Sequence, residues 1–215
     1  EMGYAGDMSS TIPADKKFSQ RQRDVYDIQV AAHEAAVAAL RPGIKFVDVY
    51  EKSCAVIMEG MKSLGFAKGD PMEAVKAGAH AMFMPCGLGH MMGLDVHDME
   101  NLGEVYVGYN GQPKSTQFGR KSLRLGRELE PGFVLTIEPG IYFIPELIDL
   151  WRSENKFTEF LNYDKLETYK DFGGIRIEDD ILITADGCRF LGKERIPYHI
   201  DDVEQYVAEH RDEKA

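Results

Sequence analysis

GGIRIEDDILIT, residues 173–184, is a run of branched apolar residues with charged residues at its centre. Ile175 and Ile177 alternate with Arg176 and Glu178, which is the period of two expected of a β-strand. An ionised carboxylate among apolar residues is costly unless it meets a cation, a hydrogen-bond donor or a proton. Glu178 is therefore a candidate functional residue, although an ion pair with a neighbour such as Arg176 is the more ordinary explanation for a single glutamate.

Two other acidic residues have a similar setting. In FVLTIEPGIYF, residues 133–143, alternating apolar residues lead directly into Glu138. In YAGDMSST, residues 4–11, Asp7 lies within a predicted strand and turn over residues 2–12. Taken alone, Asp7 is explained by a turn or a helix cap.

The remaining patterns predict helices first and strands afterwards. Three helices are predicted, from the capping box Ser19/Gln22 to Arg41, from near Asp48 to Gly65, and from Asp70 with Pro71 and Glu73 in its first turn. They are followed by a strand over Leu94 and Val96, a glycine-rich polar loop over residues 103–117, a charged helical insertion over residues 145–170 and a short helix over residues 201–210. This order predicts an α+β domain.

Composition excludes several classes of partner. The 215 residues carry 25 Lys and Arg against 36 Asp and Glu, a net charge of −11, which argues against binding to nucleic acid or to an anionic membrane surface. Apolar stretches are too short to span a membrane. The 3 cysteines are widely spaced and form no CxxC, which argues against a disulfide framework and favours a reducing, cytoplasmic location.

The histidines allow more than one interpretation. His33 and His80 are predicted on helices, as surface or hydrogen-bonded positions. His90 follows the glycines of CGLG and His97 ends the predicted strand, and either alone would be structural more often than functional. No GxSxG accompanies them, and nothing in the sequence requires Cys86 to contact His90, so a serine or cysteine nucleophile is poorly supported.

His90, Asp7, Glu138 and Glu178 together offer one nitrogen and three carboxylates. This donor set suits a fairly hard divalent cation such as Mn²⁺ or Co²⁺, with Zn²⁺ as a further candidate. Carboxylates can also bridge two ions that activate a water molecule. The spacing does not force these four residues together, so separate structural roles remain an alternative.

The motifs GLGHMMGLDVHD at residues 87–98, LTIEPGIYF at residues 135–143 and GGIRIEDDILIT, preceded by YAGDMSST, follow one another in a recognisable order. In this order they resemble the metallopeptidases of the aminopeptidase P/prolidase group, which have the pita-bread fold. The stretch KSLRLGRELEPG at residues 121–132 and the insertion after EPGIYFI look more like prolidases. The resemblance implies hydrolysis of Xaa-Pro bonds in proline-containing di- or oligopeptides by a dinuclear metal centre.

The resemblance also implies roles for individual residues. Asp7, His90, Glu138 and Glu178 would be metal ligands, with Asp7 and Glu178 bridging and Glu138 acting as general base. His97 would contact the scissile carbonyl, not the metal.

Three further residues would act around the substrate. Arg124 would hold the free carboxylate of a dipeptide, and Arg176 and Tyr142 would orient the ligands and pass protons. The group commonly has histidine where this chain has Cys86, which puts one hydrogen bond to the substrate in doubt.

In this group another metal-binding aspartate precedes the position of Asp7, and here that position falls before Glu1. The resemblance therefore predicts that residues 1–215 form one incomplete pita-bread domain without an N-terminal domain, inactive alone, with an unpaired strand edge. It predicts at most one ion in this chain and raised proton affinity among its carboxylates. The intact enzyme would bind two ions and form a homo-oligomer. The alternative function is a non-catalytic pita-bread domain that binds proteins or peptides.

Overall fold

The computed structural model describes residues 2–211, and their side chains as far as residue 210. Its α-helices are α1 (Gln20–Val37), α2 (Phe46–Ser63), α3 (Pro71–Ala77), α4 (Glu104–Tyr109), α5 (Pro145–Ser153), α6 (Tyr163–Glu167) and α7 (Ile200–Arg211). Its strands are β1 (Val134–Ile137), β2 (Gly140–Phe143), β3 (Gly173–Arg176), β4 (Asp179–Ile183) and β5 (Cys188–Phe190). Short 3₁₀ helices lie at Ala79–Met82, Glu100–Leu102 and Arg120–Ser122.

The strands form two antiparallel sheets, and the same two chain segments, residues 134–143 and 173–183, contribute one strand to each sheet. β1 pairs with β4 and β4 with β5, whereas β2 pairs with β3. Glu138 and Pro139 separate β1 from β2, and Ile177 and Glu178 separate β3 from β4. Of the strand predicted over residues 175–178, the first half is confirmed as part of β3, and the second half is not, because the chain changes partner after Arg176. Both glutamates lie where a segment passes from one sheet to the other.

Helices α1 and α2 pack against each other and supply much of the core. The capping box is confirmed: the Ser19 hydroxyl accepts from the backbone N–H of Gln22, and the Gln22 side chain accepts from the Ser19 N–H at 2.8 Å. The cap of α3 is confirmed as well, since Asp70 accepts from the backbone N–H of Glu73 at 2.9 Å.

The second predicted helix is confirmed, and it begins two residues before the expected Asp48. The helix begins at Phe46, and its cap residue Lys45 makes no side-chain hydrogen bond to the helix end. Phe46 is fully buried, and its N–H donates to Arg127 O at 2.9 Å. A tertiary contact therefore determines this helix start in place of a local cap.

The predicted strand over Leu94 and Val96 is wrong. The N–H of Asp98 donates to Met91 O at 3.1 Å, so the intervening residues form a closed loop. Leu94 and Val96 are 67% and 42% exposed. The preceding residues 88–92 run beside β1 instead, through hydrogen bonds including Thr136 N to His90 O at 3.0 Å and Met92 N to Val134 O at 2.9 Å.

Residues 4–12 lie extended beside these elements but form no strand. Glu178 N donates to Ser9 O at 2.9 Å, and the Thr11 hydroxyl donates to Arg176 O at 2.9 Å. These isolated contacts do not make a ladder. Tyr4, Met8 and Ile12 lie on the outer side of this segment and are exposed.

Two further expectations concern helices. The polar loop expected over residues 103–117 contains α4, which begins after Gly103 (φ 109°) and ends at Asn110 (φ 52°). The charged insertion is helical as predicted and comprises α5 and α6, and α7 matches the predicted C-terminal helix. Across residues 2–211, no helix combines the length and apolar character needed to cross a bilayer.

Candidate metal centre

The two junctions between the sheets bring distant carboxylates together. The register pairs Ile137 with Asp179 and Gly140 with Arg176, so the residues between these pairs face one another. Asp7 reaches the same place on the extended N-terminal segment. One ligand atom each of Asp7, His90 and Glu178 lies within 4.8 Å of the others.

His90 is held in one orientation. Its backbone N–H donates to the Thr136 hydroxyl at 3.1 Å, and Nδ1 lies 3.0 Å from Met91 O. Because a carbonyl can only accept, Nδ1 carries a proton, and Nε2 is the ring nitrogen that can bind a metal ion. Gly89 allows the close approach to β1, since a Cβ there would lie 2.0 Å from Thr136 O.

Nε2 of His90 faces two carboxylates. It lies 3.5 Å from Asp7 Oδ2 and 3.4 Å from Glu138 Oε1, and the side chain is buried. Acceptors directed at one another repel unless a proton or a cation lies between them. The donor set, one imidazole nitrogen with carboxylate oxygens, therefore fits a divalent metal ion.

The carboxylates are oriented by neighbours. The Ser9 hydroxyl donates to Glu178 Oε2 at 2.5 Å, and the N–H of Asp7 donates to Asp180 Oδ2 at 3.1 Å. Burial raises the pKa of Glu178 to about 7, and the charges of Glu138 and Asp7 add to the effect. The expectation of raised proton affinity is confirmed for Glu178, with burial as the main cause.

Glu138 has a different arrangement from the other carboxylates. Its Oε2 is ion-paired with Arg176 Nη1, and Thr136 donates to its Oε1 at 3.4 Å. It is not a member of the three-residue group of mutually close ligand atoms. Burial raises the pKa of Glu138, opposed by the charge of Arg176.

Arg176 links Glu138 to other predicted site residues. Its Nε donates to the Tyr142 hydroxyl at 2.9 Å, and its Nη2 lies 3.7 Å from Cys86 Sγ. Burial alone would lower the pKa of Arg176, but the charges of Glu138 and Tyr142 raise it above its ordinary value. Burial raises the pKa of the Cys86 thiol, which argues against a thiolate nucleophile here.

The predicted substrate residues line a cavity of about 250 Å³ beside the carboxylates. Its walls include Cys86, His97, Arg124, Glu138 and Arg176. The His97 ring meets the His90 ring edge-on, with centroids 4.3 Å apart. Burial lowers the pKa of His97, and His90 and Arg124 lower it further. A larger groove of about 750 Å³, between Lys45 and Arg127, contains none of the predicted site residues.

Sequence reasoning missed several residues that hold the site. Ser9 and Thr136 lie two positions from a predicted ligand, a spacing that places side chains on one face of an extended segment. Glu100 is three residues after His97 and pairs with Arg124. The three-residue spacing from His97 was the feature of the sequence that could have indicated Glu100 as a site residue. His33 and His80 were expected at surface or hydrogen-bonded positions, and both are buried, so the surface alternative is wrong. His80 Nε2 lies 2.8 Å from the Tyr50 hydroxyl, and His33 Nε2 lies 3.0 Å from Asp179 Oδ2.

The family to which this chain belongs follows from a comparison with known protein families. The sequence profile of metallopeptidase family M24 matches residues 1–185. The chain belongs to this family. Membership of a metallopeptidase family implies divalent metal ions, which agrees with the donor set around His90.

The curated relatives of this M24 chain include proteins named as Xaa-Pro dipeptidases and probable Xaa-Pro aminopeptidases. Human Xaa-Pro dipeptidase is 35% identical over 205 residues, which are 95% of this chain and 40% of that protein. A probable Xaa-Pro aminopeptidase of Sordaria macrospora is 36% identical over 184 residues, which are 86% of this chain and 38% of that protein. The chain thus spans about 40% of the length of the human relative.

Solved structures confirm the fold. A histidine-to-alanine variant of Escherichia coli aminopeptidase P superimposes with a TM-score of 0.73 at 35% identity, covering 98% of this chain and 39% of that one. Pseudomonas aeruginosa aminopeptidase PepP superimposes with a TM-score of 0.72 at 30% identity, covering 98% of this chain and 40% of that one. The M24 chain therefore has the pita-bread fold over the part that it covers. The Escherichia coli enzyme has also been solved with the inhibitor Pro-Leu and, in a zinc-substituted form, with product.

Proposed function

We propose that this M24 chain carries the metal-binding and catalytic residues of a peptidase that hydrolyses Xaa-Pro bonds. The observation that supports it most directly is the convergence of Asp7, His90 and Glu178 next to the cavity that holds His97 and Arg124. The substrates would be proline-containing di- or oligopeptides.

In this proposal Asp7, His90 and Glu178 hold a divalent ion, and Glu138 completes the donor set. Mn²⁺ is the first candidate, with Co²⁺ and Zn²⁺ as alternatives. When bound, the ion supplies Lewis acidity and positive charge for the attack of water on a carbonyl. Two ions are proposed for the full-length protein, and at most one for residues 1–215 alone.

Glu138 is proposed as the general base. Arg176 holds its Oε2, and its Oε1 is left on the side of His90 and the cavity. In this position Oε1 can accept a proton from the attacking water and later return it to the departing proline nitrogen. Arg176, which donates a hydrogen bond to the Tyr142 hydroxyl, keeps the Glu138 carboxylate from rotating.

His97 and Arg124 are proposed to bind the substrate. Both line the cavity that also contains Glu138. A His97 N–H can donate to the scissile carbonyl, where negative charge develops during attack. The nitrogen of an Xaa-Pro bond carries no N–H, so recognition of this bond relies on its carbonyl and on contacts beyond the proline.

The test is an assay of the full-length protein on Gly-Pro and Gly-Pro-Pro, with Mn²⁺ and after complete chelation. We expect hydrolysis of at least one peptide with Mn²⁺, loss on chelation and recovery when Mn²⁺ is restored. Activity that survives complete metal removal would exclude the proposal. Tight peptide binding without hydrolysis under all metals tried would support the non-catalytic alternative instead.

A further inference from the structure

Arg124, the proposed contact for a substrate carboxylate, already has an anionic partner. Its Nη1 donates to Oε2 of Glu100 at 2.5 Å. The two side chains are 42% and 22% exposed, so water screens the pair only in part. A ligand that enters the cavity therefore meets an arginine whose charge is largely compensated.

The Glu100 carboxylate contacts two residues that line the cavity, Arg124 and His97. Its Oε2 also lies 3.8 Å from His97 Nδ1. Its Oε1 is buried and has no hydrogen-bond partner among the residues that the structure describes. Met99, which directly precedes the short helix Glu100–Leu102, has a φ of 58°. A non-glycine residue in this conformation indicates that the surroundings impose it.

We propose that Glu100 is a specificity-determining residue that disfavours substrates ending in a free carboxylate directly after proline. This inference rests on the proposed Xaa-Pro hydrolysis. The Glu100 carboxylate is ion-paired with Arg124. Its negative charge repels a second carboxylate that approaches the same guanidinium. A guanidinium has five N–H donors, so Arg124 can still donate to the neutral carbonyl of a longer peptide. The pair therefore favours longer peptides over dipeptides.

A purely orienting role for Glu100 predicts the opposite result. If Glu100 only held Arg124 in place, its loss would weaken the binding of carboxylate and carbonyl ligands alike. If its charge competes, its loss should strengthen carboxylate binding and leave neutral ligands nearly unchanged. The two roles are separated by comparing ligands that differ only in the terminal charge.

The experiment uses the full-length protein with Mn²⁺ and the substrates Gly-Pro and Gly-Pro-amide. We expect Glu100→Gln to raise the ratio of kcat/KM for Gly-Pro to that for the amide by about tenfold, mostly through KM, because like charges across a binding site are strongly unfavourable. The same change combined with Arg124→Gln should give the ratio of Arg124→Gln alone. Glu100→Asp should keep the ratio of the unaltered protein. Glu104→Gln is the matched control, since Glu104 pairs with Lys114 at 2.6 Å outside the cavity.

Failure of the inference is distinguishable from failure of the proposed function. If the unaltered protein hydrolyses these peptides but Glu100→Gln leaves or lowers the ratio, the inference is wrong. If no peptide is hydrolysed, the proposed function fails, and calorimetry with L-proline and L-prolinamide then tests Glu100 without catalysis. If Glu100→Gln binds L-proline more tightly and L-prolinamide with nearly unchanged affinity, the result would support the inference. An unchanged preference between the two ligands, or binding of neither, would overturn it.

Discussion

The Ser9 hydroxyl donates a 2.5 Å hydrogen bond to Oε2 of Glu178 across 169 positions of sequence. This contact fixes one oxygen of a buried carboxylate that lies beside Asp7 and His90. Ser9 itself is anchored, because its carbonyl accepts from the N–H of Glu178 at 2.9 Å. The two residues thus hold the N-terminal segment to the junction between β3 and β4.

Replacing Ser9 by Ala should weaken metal binding without removing a ligand. Partners of this kind typically contribute about 10- to 100-fold to metal affinity, and we expect a loss in this range. Calorimetric titration of the full-length protein with Mn²⁺ measures it. Ser10→Ala is the control, because Ser10 is exposed on the opposite side of the extended segment. Equal affinities for the two variants would contradict the role given to Ser9.

Glu138→Gln should abolish most peptide hydrolysis while the protein stays folded. Loss of a general base typically lowers kcat by about 10²- to 10⁴-fold, and the amide cannot accept the proton. Steady-state kinetics on Gly-Pro with Mn²⁺ at saturating concentration measures the effect. Glu104→Gln serves again as control and should retain full activity. A Glu138→Gln variant with undiminished kcat would refute the assignment of the base.

Acid should destabilise the protein through His80. Burial lowers its pKa from 6.5 to about 4, while its Nε2 lies 2.8 Å from the Tyr50 hydroxyl. Between these pH values the unfolded chain binds a proton at His80 and the folded chain does not, so the free energy of unfolding falls as the pH drops through this window. The expected contribution is at most about 3.5 kcal/mol, at about 1.4 kcal/mol per pKa unit.

Urea unfolding at pH 7 and at pH 4.5 measures this dependence. The change in unfolding free energy between the two pH values should be smaller in His80→Gln than in the unaltered protein. His199→Gln is the control, since His199 is about half exposed. If His80→Gln and the unaltered protein lose the same free energy on acidification, His80 does not have this effect.

Gly108→Ala should destabilise the protein and disturb Arg124. A Cβ at Gly108 would lie 1.9 Å from the backbone oxygen of Arg124, so α4 or the arginine segment must move. We expect a loss of about 1–3 kcal/mol, as for other overpacked positions. Thermal unfolding measures it, and Gly187→Ala is the control because its Cβ would have no neighbour within 4 Å. Similar Tm values for both variants would contradict the close packing of α4.

Local patterns in the sequence were sufficient for several elements. The capping box at Ser19 and the cap at Asp70 predict their helix starts, because the hydrogen bonds that form them join residues three apart. The alternation leading into Glu138 predicts β1. The apolar surroundings of Glu178 mark it as a residue that requires a partner, and the resemblance of the motifs gives the family.

What the sequence by itself determined are features with local causes: helix caps, strand periodicity and polar residues among apolar neighbours. Only the tertiary structure decided where strands change partners, where α2 begins and which acidic residue meets Arg124. These features depend on contacts between distant segments, such as Phe46 with Arg127 and Ser9 with Glu178. The Glu100–Arg124 pair shows the same limit, since only the folded chain brings Glu100 against an arginine that lines the cavity.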